Sequence, residues 1–438
     1  MGEKLSEEAI IPKTFWEYIK SWGPGIAAVL SWAGAGDVVD CSTAGASYGW
    51  ALLWTMTLAL VFRGVITSIM AKYELCNPHR ETLIAGYRRL GRWVPAFIAA
   101  VLIIYCFIYG AFLLPSAATG LWYFFGRPAG DWGKFVIAFI LMVIAVMTWG
   151  YWGKGLYKYV EMLFKVTLSL MVITFVGIAA MSLTLYDLGQ MLVSMVTPRL
   201  PAGTGPWEAS FLVVSVIGAI GGSVANFLYP YFIKGKGWKD ERYLKVQRFD
   251  LWLAIIVCLF LNSAIWATAA SVLYPRGIHV TELTDIAKAF SLVIHPATEY
   301  LLYFGFFVTA YDTFVGLMVG QSMAATDALH VAYPERKKKY ETYLRDPIYR
   351  ILIYITMAAA VIWTIPGMPG IIYLVLVGNA FSVVALPLFS IGLLILANKA
   401  EWIGEKYKNR WWENILLLII TITALWSTYT LVKSLLKL

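Results

Sequence analysis

Long apolar runs, separated by short polar segments, dominate the chain from residue 23 onward. Most of these runs have the ~20 residues that a helix needs to cross a membrane, and the short alternating segments of a membrane β-barrel are missing. The pattern therefore predicts an all-α polytopic membrane protein with eleven spans. The predicted spans, numbered one to eleven in chain order, are 23–46, 49–73, 93–117, 133–152, 156–182, 210–233, 249–274, 296–329, 347–365, 369–397 and 412–435.

The composition excludes most other classes of protein. Hydrophobic residues make up 60% of the 438 residues and charged residues only 14%, whereas soluble domains carry about 25% charged residues. The four cysteines fall in or beside apolar runs and form no CxxC pair, so neither a zinc nor a redox motif is indicated. The first 20 residues are polar and of mixed charge, and we expect no cleavable signal peptide.

The distribution of basic residues predicts the orientation of the spans. With the N-terminus in the cytoplasm, 25 lysines and arginines lie in cytoplasmic segments and 7 lie on the opposite side, which follows the positive-inside rule. The net charge of +9 is then a topology signal, and the basic run 336–339 is a cytoplasmic loop. We expect a multi-pass protein of the cell inner or plasma membrane, with an extracytoplasmic C-terminus and no nucleic-acid partner.

Glycines interrupt spans one and six at matching places. Gly34 stands just before Asp37 and Asp40, and the glycine-rich segment 218–223 precedes Asn226. Because five spans separate the two interruptions, the two halves would be inverted in the membrane, which is typical of transporters. Close helix packing would explain the span-six glycines, but it does not explain carboxylates in span one, since each costs about 3 kcal/mol near the bilayer centre.

The region from Gly23 to Trp54 resembles the first two helices of NRAMP divalent-metal transporters. An ungapped match includes Gly23-Pro24-Gly25 and the segment 48–54, and spans seven, eight and ten add family-like spacings around Asn262, Thr313 and Asn379. The resemblance covers nearly the whole chain. It implies a LeuT-type fold, in which two inverted five-helix repeats are followed by an eleventh helix and spans one and six are broken.

The same resemblance divides the chain into five segments. They are a cytoplasmic N-terminal segment (1–22), a first repeat (23–182), an extracellular loop (183–208), a second repeat (209–397), and a cytoplasmic loop with the eleventh helix (398–438).

The resemblance also implies a metal site with altered ligands. The family motif Asp-Pro-Gly-Asn falls on residues 34–37, so that Gly34 replaces its aspartate and Asp37 its asparagine, and the family's span-six methionine falls on Gly222 or Ser223. Without a soft thioether, the oxygen ligands favour Mg²⁺ or Mn²⁺, as in NRAMP-related magnesium transporters. The predicted metal-site residues are Asp37, Asp40, Gly34, Gly222, Ser223, Asn226 and Asn379.

Proton coupling is not expected. NRAMP transporters carry acidic residues along span three, and the equivalent positions in this chain are Phe97, Ile104 and Phe107. These side chains cannot carry protons, and the family's span-six histidine is also missing.

Two further charges lie within the predicted spans, namely Arg63 in span two and Asp312 in span eight. One interpretation is a structural ion pair that joins the two helices. The other makes Asp312, with the hydroxyls of Thr309 and Thr313, a site for a coupling ion, because LeuT-type transporters bind sodium between spans one and eight. The sequence leaves both open.

Taken together, the pattern predicts a secondary transporter that moves a divalent metal cation by alternating access, without a cofactor or an obligatory protein partner. The alternative is a LeuT-type transporter of an amine or amino acid, with sodium as its coupling ion. An enzyme is not expected, because the GxSxG match at 45–49 joins two membrane helices and not a strand and a helix.

Overall fold

The computed structural model describes residues 11–20, 34–150, 169, 177, 187–203, 206–221, 224–293 and 295–436. Within these ranges the chain forms helices and no β-strand. Nine stretches of the described chain are long and apolar enough to cross a membrane, and they correspond to the predicted spans two to four and six to eleven. These stretches are Leu53–Cys76, Val94–Phe124, Gly130–Thr148, Ala209–Gly235, Glu241–Arg276, Thr298–Ala332, Pro347–Thr364, Ile371–Leu396 and Trp411–Leu436.

Shorter helices connect or flank these spans. They are Phe15–Lys20, Leu83–Tyr87, Leu188–Ser194, Leu283–Val293, Pro334–Tyr340 and Ala400–Ile403.

Spans one and five are described in part. The second half of span one is the helix Ala35–Tyr48, which begins directly after Gly34. The preceding residues 21–33 lie outside the described ranges, as does span five apart from Ser169 and Gly177.

Span six is broken where its glycines are. The helix Ala209–Val216 passes into a π-helical turn over Ile217–Gly221, and a 3₁₀ turn over Val224–Leu228 leads into the helix Tyr229–Gly235. Residues 222 and 223 lie outside the described ranges. Irregular backbone frees carbonyl groups within the membrane, and such groups are tolerated where they line a cavity.

Span ten contains a second interruption, which the sequence analysis missed. Its helix Ile371–Phe381 ends at four turn residues, and a new helix, Leu386–Leu396, follows. Pro387 occupies the first turn of that new helix, where no helical hydrogen bond needs its missing N–H. If span ten were one unbroken helix, Pro387 would lie in its interior, and the helix would lose a hydrogen bond there. The interruption begins just beyond Asn379.

The spans pack in two groups. Spans one and two both pack on span seven and also contact the break of span six, whereas spans three, eight and nine pack on one another along their length. Span three and span eight approach closely at Gly120, where an added Cβ would lie 2.8 Å from the backbone oxygen of Tyr303. The first helix of span ten contacts both groups, so that a site between the groups is bounded by spans one, six and ten.

The cytoplasmic ends predicted for spans eight and nine are joined by an ion network. Arg336 binds both carboxylate oxygens of Asp346 at 2.7 and 2.9 Å, and His330 Nε2 lies 2.9 Å from the same carboxylate, which also caps span nine through the N–H of Ile348. Burial raises the pKa of Asp346, but these hydrogen bonds outweigh burial and hold the pKa at about 2. The network fixes the start of the basic segment 336–339.

A buried ion pair links span two to span eleven. Lys72 Nζ lies 2.8 Å from Glu413 Oε2 and donates to Asn409 Oδ1 at 2.8 Å. We expect Lys72→Met to destabilise the protein by about 3 kcal/mol or more, because Glu413 is then left as an uncompensated buried charge, whereas Lys72→Met with Glu413→Gln should cost much less. Melting temperatures of both single variants and the double variant in detergent test this expectation. Equal losses in the single and double variants would contradict it.

Candidate functional site

Asp37 lies in the first turn of the span-one helix that begins after Gly34. Its side chain is 2% exposed, and Oδ2 accepts a hydrogen bond of 2.9 Å from Asn262 Nδ2 on span seven. A carboxylate in the first turn interacts favourably with the helix dipole. The helix start and Asn262 therefore hold the Asp37 carboxylate at the point where span one breaks.

Asp40 follows three residues later and contacts a different helix. It is fully buried, and its Oδ2 accepts a hydrogen bond of 2.6 Å from Asn379 Nδ2 on span ten. Gly36 makes this approach possible, because a Cβ at position 36 would lie 2.9 Å from Asn379 Nδ2. The two carboxylates are thus held by different spans, Asp37 by span seven and Asp40 by span ten.

A cavity of about 40 Å³ lies between the broken helices. Because one water needs about 10–15 Å³ by this measure, the cavity has room for a few waters or for one cation with part of its hydration shell. Asp37 lines it, but Asp40 does not. The lining residues are Gly34, Gly36, Asp37, Arg63, Tyr109, Phe112, Leu113, Gly218, Ala219, Ala225, Thr313, Leu317, Asn379 and Ser382.

Arg63 also lines this cavity. Its guanidinium is 1% exposed, and Nη2 donates a hydrogen bond of 2.8 Å to the backbone oxygen of Ala219 in the π-helical turn of span six. Asp37 lines the same cavity, so that two opposite charges face one buried space, where they attract each other more strongly than in water. The cavity therefore contains a positive and a negative side chain that influence each other.

The other predicted metal-site residues fall in several places. Gly34 lines the cavity opposite Thr313, whose Oγ1 would lie 2.9 Å from a Cβ at position 34. Asn226 is buried outside the cavity lining, and its amide bonds to none of the described residues. Gly222 and Ser223 lie outside the described ranges.

The structure does not bring Arg63 and Asp312 together as a pair. Asp312 is half-buried, and no charged group among the described residues acts on it. Arg63 points to Ala219 instead, because the rotation of span two turns it toward the break of span six. Thr309 donates to the Gly305 oxygen of its own helix at 2.8 Å.

The predicted coupling-ion residues are therefore split between two environments. Thr313 faces the cavity with a hydroxyl that bonds to none of the described residues, whereas Asp312 is not part of the cavity lining.

The positions in span three that match the family's acidic residues face outward. Phe97, Ile104 and Phe107 are 45%, 55% and 40% exposed on the surface of the bundle. The inward face of the same helix carries apolar and tyrosine side chains, such as those of Leu102 and Tyr109. Residues 94–124 contain no acidic residue and no histidine.

Two cysteines for which the sequence indicated no metal or redox motif, Cys41 and Cys258, lie on the helices that carry Asp37 and Asn262. Cys258 stands four residues before Asn262, and this spacing places both on one face of span seven. Cys258 and Cys41 are buried. Neither thiol lines the cavity. The spacing of four residues between Cys258 and Asn262 was the feature of the sequence that could have placed Cys258 on the same helix face as Asn262.

Among the described residues, no three or more histidine, cysteine, aspartate or glutamate side chains are grouped so that they could hold a metal ion. A cation in this cavity would instead meet one lining carboxylate together with amide, hydroxyl and backbone oxygens. Such a set suits the transient binding of hard cations better than the permanent holding of a structural metal.

The helical spans and the cavity between two broken helices define a polytopic membrane protein of the transporter class. The family model described as natural resistance-associated macrophage protein-like matches residues 25–434, and the chain belongs to this Nramp family.

Two curated relatives show the extent of the similarity. The chain is 26% identical to the divalent metal cation transporter MntH of Klebsiella pneumoniae over 94% of both chains. It is 22% identical to the natural resistance-associated macrophage protein 2 homolog of Dictyostelium discoideum over 89% of this chain, but it spans only 59% of that protein.

A solved structure supports the fold. A variant of the Eremococcus coleocola manganese transporter superposes with a TM-score of 0.76 at 16% sequence identity, covering 98% of this chain and 90% of that one. The predicted LeuT-type fold is confirmed.

Proposed function

We propose that this chain carries a divalent metal cation across a membrane by alternating access, with Mg²⁺ or Mn²⁺ as the preferred ion. The position of Asp37 carries the proposal, since it is a buried carboxylate at the start of a half-helix, held by Asn262, and it faces the break of span six. Half-helix ends and unwound carbonyls at broken helices are the usual binding elements of transporters with inverted repeats. The name of the MntH relative, a divalent metal cation transporter, supports a divalent metal as the substrate.

The cavity lining supports a hard ion. Oxygen ligands are offered by Asp37, by the hydroxyl of Thr313 and by the amide of Asn379, while none of the described lining residues carries sulfur. Carboxylate, carbonyl and water oxygens suit Mg²⁺ and Mn²⁺, whereas soft ions such as Cd²⁺ prefer sulfur. The small cavity fits a cation that keeps a few waters, which is how Mg²⁺ is usually bound.

The absence of a proton path in span three supports transport without proton coupling of the family type. The sequence 94–124 offers neither a carboxylate nor an imidazole, and these are the groups from which intramembrane proton relays are built. The proposal also keeps the predicted orientation, with the N-terminus and the basic segment 336–339 on the cytoplasmic side.

One observation favours the alternative, a transporter of amino acids. Arg63 and Asp37 line the same cavity, and a zwitterion would find an opposite charge for each of its ends. Against this stands the volume of about 40 Å³, which is far below the ~300 Å³ or more of ordinary pockets for organic ligands.

Uptake into proteoliposomes tests the proposal. We expect the wild-type protein to carry Mn²⁺ and Mg²⁺ into vesicles that contain a metal-sensitive dye, and a pH dye in parallel vesicles should report no metal-dependent acidification. Excess Mg²⁺ should displace Cd²⁺, because the lining residues that the structure describes carry no sulfur. Protein-free vesicles are the control.

Three results would count against this function. Uptake of an amino acid without any response to metal would favour the alternative, and acidification of the lumen with metal entry would establish proton coupling. Cd²⁺ that Mg²⁺ cannot displace, together with loss of this effect in Cys258→Ser, would show that a thiol belongs to the site.

A further inference from the structure

A guanidinium occupies one end of the cavity in which the proposed function requires a cation. Arg63 comes from the middle of span two, is buried on all sides, and donates from Nη2 to the Ala219 oxygen at 2.8 Å. Burying an ionised group in the membrane is costly, so that its partners have to compensate for the loss of water. The partners of Arg63 therefore indicate what the charge is for.

The first partner is a carbonyl that the break of span six makes available. Ala219 lies in the π-helical turn Ile217–Gly221, where the regular helix ends. Freed carbonyls of this kind are the groups that coordinate cations at the broken helices of transporters. Arg63 therefore uses an oxygen that a transported cation would also use.

The second group is Asp37, the carboxylate that lines the same cavity as Arg63. Opposite charges that face one buried cavity attract each other more strongly than they would in water. Arg63 thus bonds to the span-six carbonyl and shares the cavity with the span-one carboxylate, and these two groups come from the two halves of the fold.

We propose that Arg63 is a tethered cation that takes the place of the transported metal in the substrate-free protein and withdraws when metal binds. This inference rests on the proposed function. In the empty site, the charge of Arg63 compensates the charge of Asp37. The empty carrier can then change conformation without an uncompensated buried carboxylate, which would be costly. The return of the empty carrier needs no proton, which agrees with the lack of acidic residues in span three.

The role has two consequences that a purely structural arginine would not have. Arg63 competes with the metal for the same groups, and it therefore lowers the apparent affinity of the metal. Arg63 also compensates Asp37 while the empty carrier returns. Its removal should therefore slow net transport, which requires that return, and should leave metal-for-metal exchange intact.

The test compares Arg63→Gln and Arg63→Lys with the wild type in proteoliposomes. We expect Arg63→Gln to bind Mn²⁺ about tenfold more tightly, because the variant lacks the nearby positive charge that opposes the cation. A factor of about ten is the lower end of the effect that a close charge has on a charged neighbour. Net Mn²⁺ uptake into metal-free vesicles should fall by about tenfold, while exchange of labelled Mn²⁺ against internal Mn²⁺ stays near the wild-type rate. Arg63→Lys keeps the charge and should retain net uptake.

Lys72→Met combined with Glu413→Gln is the matched control, since Lys72 is a second buried cation of the same span but lies outside the cavity lining, and the double variant leaves no uncompensated charge. Its net uptake and exchange should change by the same factor. Folding of each variant is established by gel filtration and melting temperature.

Distinct results overturn this inference and the proposed function. A wild-type protein that exchanges no divalent metal refutes the proposed function. If the wild type exchanges metal, weaker binding by Arg63→Gln, or equal effects on net uptake and exchange, refutes the role of Arg63. If Arg63→Gln does not fold, Arg63→Lys decides. The lysine side chain is shorter and should hold the Ala219 oxygen less well, so that the Arg63→Lys protein should bind Mn²⁺ more tightly than the wild type. Unchanged affinity in that variant overturns the inference.

Discussion

Replacing Asp37 with asparagine should abolish metal transport in a protein that still folds. The amide keeps the size of the side chain and can still bond to Asn262, but it removes the one carboxylate among the described residues that line the cavity. Changing a group that merely supports a metal ligand already costs about 10- to 100-fold in affinity or activity, so that loss of the ligand itself should cost more than about 100-fold. Mn²⁺ uptake into proteoliposomes and metal titration in detergent measure the two effects.

Asp40→Asn is the matched control for this experiment. Asp40 is as deeply buried as Asp37 and lies on the same helix, but it bonds to Asn379 and does not line the cavity. We expect Asp40→Asn to retain metal binding with a reduction of about tenfold at most, since its effect on the site is indirect. Equal loss in both variants would mean that the two carboxylates bind the cation together. Unchanged transport in Asp37→Asn would remove Asp37 from the site.

Much of the fold could be predicted from the sequence because the membrane itself is a strong constraint. A helix needs ~20 apolar residues to cross the bilayer, and spans such as 412–435 therefore stand out from length and composition alone. The break of span six was also visible, since several glycines in one apolar run destabilise a regular helix. The interruption of span ten was missed because Pro387 by itself does not distinguish a kink from the start of a new helix.

The candidate site was only partly visible in the sequence. Asp37 and Asn379, two residues singled out from the sequence, line the same cavity although 342 positions separate them, because span ten packs on span one. Asn262 and Arg63 could not be assigned to Asp37, since their directions depend on the rotation of spans seven and two. That rotation is fixed by packing between helices and not by the pattern within either span. Outward-facing Phe97 illustrates the same limit in span three.

Replacement of Gly218 by alanine should disrupt the site through the backbone. A Cβ at position 218 would lie 1.9 Å from the backbone oxygen of Asn379 and 3.2 Å from Val383 Cγ2. The oxygen belongs to the main chain of span ten, and it cannot move aside as a flexible side chain would. Span ten would therefore have to shift away from span six and carry Asn379 away from Asp40, to which it bonds at 2.6 Å.

The cost of this substitution should exceed that of an ordinary overpacked position. Extra methylene groups in a packed core cost about 1–3 kcal/mol, and a clash with the main chain at the junction of three spans should lie at or above the upper end. We expect Gly218→Ala to melt at a clearly lower temperature in detergent and to lose metal uptake. Gly316→Ala is the matched control, since a Cβ there would meet no atom within 4 Å and should leave both properties unchanged. Wild-type stability of Gly218→Ala would show that spans six and ten do not pack as closely as this structure has them.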